Sequence, residues 1–305
     1  MNKMRTGKRK PLRWALWHPY QGLWNWTLHR TLERLIPIAF LRKQVIRSLI
    51  ALDTLLLWGR AIWERVRLVG LSTDLWAPDI TGDPCVLYVD MGTHRDAQEL
   101  VWVMTHVLPR YTRRVRAVGF EASSTAYRDA VRRTASLPHV EMVHAALCYH
   151  IPERGYVRLY TSPADGRASS IYRETFGVFE EVPALRFSQW LRDQRLALDT
   201  YIVLLRMNIE GAEWDVIHDL VESGWAQYVD GYFGMWDDVA KDDPDRGNAF
   251  LRQLRDVGIR PFTFNDRDFR SQWRMRCIAY AIETAILRGM RRKGGAQCKD
   301  ITVYE

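Results

Sequence analysis

Short apolar runs alternate with helix-like segments from residue 85 to the end of the chain. The first run, at 86–89, reads V-L-Y-V, and apolar residues including Leu100 and Met104 recur on one helical face after it. A short run of apolar β-formers predicts a strand, and a repeat of about 3.6 residues predicts a helix. Further strands are predicted at 116–120, 140–147, 201–207, 227–233, 261–264 and 301–304, and further helices at 127–134, 185–195, 212–222, 249–257 and 276–291.

This alternation predicts the fold class. Strands separated by helices form a mostly parallel sheet with helices on both of its faces. The pattern therefore predicts an α/β domain over residues 81–305 with a seven-stranded sheet, and residues 72–84, which contain Pro78, Gly82 and Pro84, suit a linker. In such sheets ligands bind beyond the carboxyl ends of the strands, so the residues at those ends are the first candidates for a site.

Residues 1–80 differ from the rest of the chain in charge and in aromatic content. They hold 14 Lys and Arg against 5 Asp and Glu, whereas the remaining residues hold 30 against 31, and they contain seven of the 13 tryptophans. Helical spacing predicts a helix or helix pair over 41–66, within a basic, Trp-rich helical arm. Three roles suit this arm: a cap packed on the domain, which we favour, peripheral contact with a membrane, or binding of acidic glycan or nucleic acid.

The cysteines indicate where the protein resides. Cys85, Cys148, Cys277 and Cys298 show neither C-x-x-C pairing nor metal-ligand spacing, so reduced, buried thiols and a cytoplasmic location are expected. Neither a secretory signal nor a membrane-spanning helix is predicted, because the apolar stretches are short and interrupted by charges. No group of His, Asp and Glu has metal-ligand spacing, so no metal site is expected.

Two strand ends carry residues that suit a nucleotide site. The turn after the first strand reads D-M-G-T-H-R-D from Asp90 to Asp96, and Gly92 allows a sharp turn and close approach to a ligand. Glu121 ends the second strand, where a carboxylate can accept hydrogen bonds from both ribose hydroxyls. An ordinary turn and a solvated loop acid are the alternatives. The absence of G-x-G-x-x-G argues against a nicotinamide-dependent dehydrogenase.

A third polar segment follows the most apolar predicted strand. It reads R-M-N-I-E-G-A-E from Arg206 to Glu213. Polar groups beside a buried strand are costly unless they contact a ligand or one another, so Glu210 and Glu213 are candidates for a functional site. Both glutamates also suit the N-terminus of the next helix, where the helix dipole favours acids and a glutamate can take part in a cap.

Together these motifs resemble those of the FkbM-type methyltransferase family over residues 84–265. That family has a D-x-G-A-type turn, F-E-P and K-I-D-V-E-G-x-E at the corresponding strand ends, where this chain has V-D-M-G-T, F-E-A and R-M-N-I-E-G-A-E. The resemblance implies a class I methyltransferase (Rossmann-like) fold and S-adenosylmethionine as the methyl donor. It also implies O-methylation of a hydroxyl in a sugar, a glycan or a lipid-linked acceptor.

The resemblance further implies roles for individual residues. The implied cofactor-binding residues are Asp90, Gly92 and Thr93 at the methionine end, Glu121 and Ala122 at the ribose, and His144 and Ala145 near the adenine. The implied residues at the transfer site are Asn208, Glu210 and Glu213. Methyl transfer to a hydroxyl needs positioning and a base, and His94 and Glu210 are our candidates for the base.

The chain departs from the family pattern at several of these positions. Asp96, Ala122, Arg206 and Asn208 stand where family members commonly have Gly, Pro, Lys and Asp. Because Asn208 cannot act as a base, an inactive scaffold that still binds the cofactor is one alternative hypothesis. An RNA methyltransferase is another, suggested by the basic arm. The near-neutral domain and the lack of a recognisable RNA-binding module argue against nucleic acid as a partner.

Overall fold

The fold is built on two β-sheets. A computed structural model describes residues 39–69, 83–161, 169–174, 177–236, 238–239, 244–263 and 272–293. Within these ranges the strands are β1 (Val86–Met91), β2 (Val115–Glu121), β3 (Val140–His144), β4 (Ala146–Leu147), β5 (Tyr156–Tyr160), β6 (Phe179–Leu185), β7 (Ile202–Met207), β8 (Val229–Gly234) and β9 (Phe262–Thr263).

The larger sheet has six strands in the order β3-β2-β1-β7-β8-β9, and each neighbouring pair is parallel. The chain builds one half outward from β1 to β3 and the other outward from β7 to β9, so the direction of winding reverses between β1 and β7. Doubly wound folds with this order bind ligands at that reversal. The predicted α/β class with a mostly parallel sheet is confirmed. The strand predicted at 301–304 lies outside the described residues.

The two central strands, β1 and β7, are buried along their whole length. Their sequences, V-L-Y-V-D-M and I-V-L-L-R-M, are nearly continuous apolar runs, as expected for parallel strands covered on both faces. The exceptions are Asp90 and Arg206, which are partners in the register between the two strands. Two opposite charges therefore lie side by side at the carboxyl end of the sheet.

Helices cover both faces of the larger sheet, as predicted. One face packs around Leu205 and Ile217, with α4, α5 and α6 as defined below, and the other packs around Leu204 and Ile282, with α1, α2 and α7. The helices are α1 (Ala39–Val69), α2 (Gln98–Trp102, continued by the π-helical turn Val103–Val107 and the 3-10 turn Leu108–Arg110), α3 (Ser124–Thr134), α4 (Phe187–Asp193), α5 (Glu213–Glu222), α6 (Pro244–Asp256) and α7 (Gln272–Lys293).

The smaller sheet corrects two sequence-based predictions. The pattern predicts one strand over 140–147, but this strand is interrupted at Ala145, so that β3 stays in the larger sheet and β4 pairs with β6. The helix predicted over 185–195 begins only at Phe187, because the preceding residues belong to β6, which also pairs antiparallel with β5. The sequence of β6, F-E-E-V-P-A-L, hides this strand because acidic residues and proline are uncommon in strands.

The helix α1 matches the helix predicted over 41–66, and one of its faces joins the core. Leu57 and Ala61 are buried in the same cluster as residues of α7 and the sheet. Arg65 is fully buried, with Nη1 2.7 Å from Oε2 of Glu283 and its guanidinium 4.2 Å from the centre of the Tyr280 ring. The other parts of the predicted arm, 1–38 and 70–80, lie outside the described residues.

The cysteines differ from the sequence-based expectation at one position. Cys148 and Cys277 are free and buried, but Cys85 is disulfide-bonded. The expectation of four reduced thiols is therefore wrong at Cys85, because pairing depends on proximity in space, which the spacing along the chain does not give. Since disulfides belong mainly to oxidising compartments, the cysteines no longer support a cytoplasmic location. In the part of the chain that the structure describes, no helix has the length and hydrophobicity needed to cross a bilayer.

The ion pair between Arg65 and Glu283 gives a first prediction. Glu283→Gln should lower the free energy of unfolding by about 3 kcal/mol, because the guanidinium would stay buried without its counterion. Chemical unfolding followed by circular dichroism measures this change. Arg67→Gln, at an exposed position of the same helix, is the control and should change stability by less than about 0.5 kcal/mol. Equal stability of Glu283→Gln and the wild type would show that the pair does not hold α1 to α7.

Candidate functional site

A cavity of about 530 Å³ opens at the carboxyl end of the larger sheet. The loops after β1, β2, β3 and β7 form most of its wall, and Leu159 of β5 and the segment 169–171 complete it. It therefore lies at the reversal of strand order, where doubly wound sheets bind their ligands. Its volume is within the range of about 300–1,000 Å³ that is usual for cofactor sites.

Gly92 brings the loops after β1 and β7 into contact. Its φ is +80°, and a Cβ at this position would lie 2.1 Å from the backbone oxygen of Asn208. Any other residue would clash there and would also adopt a disfavoured backbone conformation. The glycine is thus required by the close approach of two protein loops, in addition to any ligand that the turn receives.

A buried guanidinium fixes these two loops. Arg206 Nη1 lies 3.0 Å from Oδ1 of Asp90 and donates to the backbone oxygen of Gly92 at 2.8 Å, while Nη2 pairs with Glu99 at the start of α2. Burial lowers the pKa of Arg206, but the charges of Glu99 and Asp90 outweigh it, so the pKa is raised overall. Burial raises the pKa of Asp90, and the charge of Arg206 opposes this. Asp90 therefore holds Arg206 from behind the wall: Arg206 and Glu99 line the cavity, whereas Asp90 does not.

Glu121 connects the second strand to the turn after the first. One carboxylate oxygen accepts from the backbone N–H of His94 at 2.7 Å, and the other accepts from that of Ser123 at 2.9 Å. Burial and, to a smaller extent, the charge of Asp90 raise the pKa of Glu121, while the backbone N–H groups of Ser123, His94 and Ala122 lower it. Each carboxylate oxygen can accept two hydrogen bonds, so the Glu121 carboxylate, which lines the cavity, keeps capacity for a further donor.

The loop after β7 has one acid that serves structure and two polar residues that face the cavity. Glu213 is fully buried and accepts from the backbone N–H groups of Ile209 at 2.7 Å and of Gly211 at 2.8 Å. Glu213 therefore holds the loop in place and forms a clasp between its backbone groups. This is the structural role that the sequence suggested as the alternative to a functional one. Asn208 and Glu210 line the cavity. The Asn208 side-chain oxygen is buried and has no hydrogen-bond partner among the described residues.

Glu210 is held by an arginine that the sequence pattern does not single out. Arg173 Nη1 lies 2.8 Å from Oε2 of Glu210, and Nη2 lies 2.8 Å from Oδ1 of Asp238. Ser170 donates to the backbone oxygen of Glu210 at 2.7 Å. The Arg173 guanidinium thus already engages one carboxylate oxygen of Glu210 in an ion pair. No motif marks Arg173, because its partners are distant along the chain.

The two histidines predicted for the site differ in position. His94 lines the cavity, and its Nδ1 lies 3.9 Å from Oδ2 of Asp96. His144 does not line it: the ring stacks on Tyr127 with 4.9 Å between the centroids, and Nε2 lies 3.0 Å from the backbone oxygen of Ala122. His144 therefore supports the loop after β2 from behind.

Backbone strain is present at two residues of the cavity wall. His94 has a φ of 62° and Glu210 a φ of 53°, values that cost non-glycine residues about 1–2 kcal/mol. Residues kept in such conformations cluster at functional sites, because the surrounding structure must hold them there. This observation supports a function for the cavity that is independent of any motif.

The structure thus brings eight of the eleven predicted site residues onto one wall. Asp90, His144 and Glu213 lie behind that wall and hold its loops. The eight that line the cavity are Gly92, Thr93, His94, Glu121, Ala122, Ala145, Asn208 and Glu210. Within the described ranges, no group of three or more His, Cys, Asp or Glu side chains could hold a metal ion.

Comparison with known proteins adds no assignment. The chain matches no protein-family model, and no curated protein matches its sequence significantly.

The clasp formed by Glu213 gives a prediction about pH. Burial, and next the charge of Asp238, raise the pKa of Glu213 to about 8 from 4.5. Between these values the unfolded state binds fewer protons than the folded state, so stability falls as pH rises. Urea unfolding at pH values of about 5, 7 and 9 should show a loss on the order of a few kcal/mol in the wild type.

The Glu213→Gln variant should lack this part of the pH dependence, because its side chain does not titrate. Glu141→Gln, at an exposed position on β3, is the matched control and should keep the wild-type dependence. If Glu213→Gln and the wild type lose the same stability between pH values of about 5 and 9, Glu213 is not the titrating group.

Proposed function

We propose that the protein is an S-adenosylmethionine-dependent methyltransferase that methylates a hydroxyl of a sugar, a glycan or a lipid-linked acceptor. One observation carries the proposal: Glu121 and the turn from Gly92 to His94 are hydrogen-bonded to each other on one wall of a cavity, at the reversal of a doubly wound sheet. The polar loop after β7 lies on the same cavity. The motif resemblance over residues 84–265 is the second support.

The residues present suit this cofactor. The carboxylate of Glu121 has capacity for a ribose hydroxyl, and such a donor would help to offset the burial that raises its pKa. Beyond it, Phe120, Ala126 and Leu147 form an apolar part of the wall, which suits a flat base. Bound S-adenosylmethionine would supply an electrophilic methyl group.

Residues of the chain would position the acceptor hydroxyl and take its proton. The side-chain oxygen of Asn208 can accept a hydrogen bond from that hydroxyl and thereby orient it. Asn208 thus has a positioning role even though it cannot act as a base. Of the two candidate bases, His94 is favoured over Glu210, because Arg173 neutralises Glu210 and the imidazole has Asp96 beside it.

Two finer expectations remain proposals. A cytoplasmic location is one, and the disulfide at Cys85 weakens it. The choice between an active enzyme and an inactive scaffold is the other. The scaffold hypothesis draws on Asn208 in place of an acid and on the pairing of Glu210 with Arg173.

Cofactor binding is the first test of this proposal. Titration calorimetry of the full chain should give heat with S-adenosylmethionine and with its demethylated product. Glu121→Gln should weaken binding at least about tenfold, because an amide cannot accept from both hydroxyls and from both backbone donors. Glu141→Gln, an exposed glutamate outside the cavity, should bind as the wild type. The absence of heat with both compounds would contradict the proposal.

Transfer of a labelled methyl group is the second test. Label should appear in the glycan or lipid fraction of a cell extract. His94→Ala should lower the rate of labelling of that fraction at saturating cofactor by about 100-fold or more, because the base would be lost. Glu210→Gln should lower it by a smaller factor, because Arg173 already holds that carboxylate. His106→Ala, an exposed histidine that does not line the cavity, is the control.

The distribution of label decides between the hypotheses. Label in RNA would support an RNA methyltransferase, and cofactor binding without label in any fraction would support the scaffold. An unchanged rate of labelling in His94→Ala would remove the assignment of the base.

A further inference from the structure

The helix α1 has two apolar faces, and only one of them is buried against other described parts of the chain. Thr54, Leu57, Ala61 and Arg65 are buried, and at about 100° per residue they lie within about 40° of one line along the helix. This face contacts α7 and the sheet. A helix that is apolar on two opposite faces needs a second apolar environment.

The second face is exposed. Leu52 is 45% exposed, Leu55 60% and Trp63 61%. With Leu41 and Leu56, they lie within about 60° of the line opposite the buried one. We call these five residues the outer stripe: Leu41, Leu52, Leu55, Leu56 and Trp63. In the described ranges, six of the thirteen exposed large apolar side chains lie on α1, and such a concentration marks an interaction surface.

Cations surround the end of the outer stripe. Arg67 is one turn beyond Trp63 on the same side of α1 and is exposed. Arg288, Arg291 and Arg292 are exposed on α7, and Arg291 donates to the backbone oxygen of Leu68 at the end of α1. A cavity of about 580 Å³ adjoins this end, and its wall includes Arg67, Arg288 and Arg292.

The acids in this region do not cancel the cations. Glu64 lies 3.6 Å from Arg288, and the fully buried carboxylate of Asp230 lies 2.9 Å from Arg292. The end of the outer stripe therefore keeps a surplus of positive charge. Residues 1–80 as a whole carry 14 basic residues against 5 acidic ones, which extends the same bias along the chain.

We propose that the outer stripe of α1 binds the surface of an anionic lipid bilayer, with the helix lying parallel to it. Apolar side chains next to a Trp and a group of arginines are typical of interfacial helices, with the indole at headgroup level and the cations on lipid phosphates. From Leu52 to Trp63 the contact would run for about 16 Å along the helix. A second copy of the chain is a poorer partner, because a symmetric contact would place this basic segment, with 14 Lys and Arg against 5 Asp and Glu over residues 1–80, against itself.

The test uses the full chain and vesicles. In co-sedimentation, the wild type should bind vesicles of phosphatidylcholine with about 30% phosphatidylserine at least about tenfold more tightly than phosphatidylcholine alone, and less tightly as salt is raised. The variant Leu52→Gln/Leu56→Gln/Trp63→Gln should lose at least about tenfold in affinity for the anionic vesicles. Because all three side chains are exposed, its circular dichroism and melting temperature should match those of the wild type.

Two further variants separate the apolar contribution from the charge. Val178→Gln/Phe179→Gln changes equally exposed apolar residues away from α1 and should bind as the wild type. Arg67→Gln/Arg291→Gln should reduce the preference for anionic over neutral vesicles. The proposal does not depend on methyl transfer, so these results stand whatever the cofactor titration shows.

Three outcomes would overturn the proposal. The first is that the wild type binds neither kind of vesicle. The second is that the outer-stripe variant binds anionic vesicles as well as the wild type, which would assign binding to another part of the chain. The third is that sedimentation velocity shows a wild-type dimer that the outer-stripe variant converts to a monomer, without lipid binding by either, which would make a second copy the partner.

Discussion

The buried contact of Arg206 with Asp90 and Glu99 is the interaction on which the candidate site depends. Strand register places Arg206 and Asp90 side by side in the centre of the sheet, where an unpaired charge is very costly. The guanidinium can satisfy both acids and the backbone oxygen of Gly92 because its donors form a planar fork. A lysine has a single ammonium group and cannot reproduce this geometry.

The acidic residues that lie at or just after the strand ends have different roles in the structure. Asp90 and Glu213 are buried behind the wall. Asp90 holds the guanidinium of Arg206, and Glu213 holds backbone N–H groups of the loop after β7. Glu121 has a double role, because it holds the turn at His94 and also faces the cavity. Glu210 faces the cavity but is balanced by Arg173. Acids behind the wall thus hold loops and strand ends whose other ionisable residues, such as His94, Glu121 and Arg206, line the cavity.

The helix α1 has one face in the core of the domain and another that is exposed. Its inner face joins the core through Leu57, Ala61 and Arg65, and its outer face exposes leucines and Trp63 beside arginines. The sheet separates α1 from the face covered by α4, α5 and α6, while the cavity lies at the end of the strands. No described residue of α1 lines the cavity, so a partner on the outer stripe and a ligand in the cavity would contact different residues.

The sequence by itself determined the fold class and most of the strand ends, because apolar runs such as 86–89 and 201–207 can only be buried between helices. It also selected Gly92, Glu121 and Glu210, since residues directly after buried parallel strands must meet at one edge of the sheet. Only the tertiary structure decided that Asp90, His144 and Glu213 lie behind the wall, that Arg173 neutralises Glu210, and that β4 leaves the larger sheet. These outcomes depend on side-chain direction and on partners distant along the chain, and neither is encoded in local periodicity.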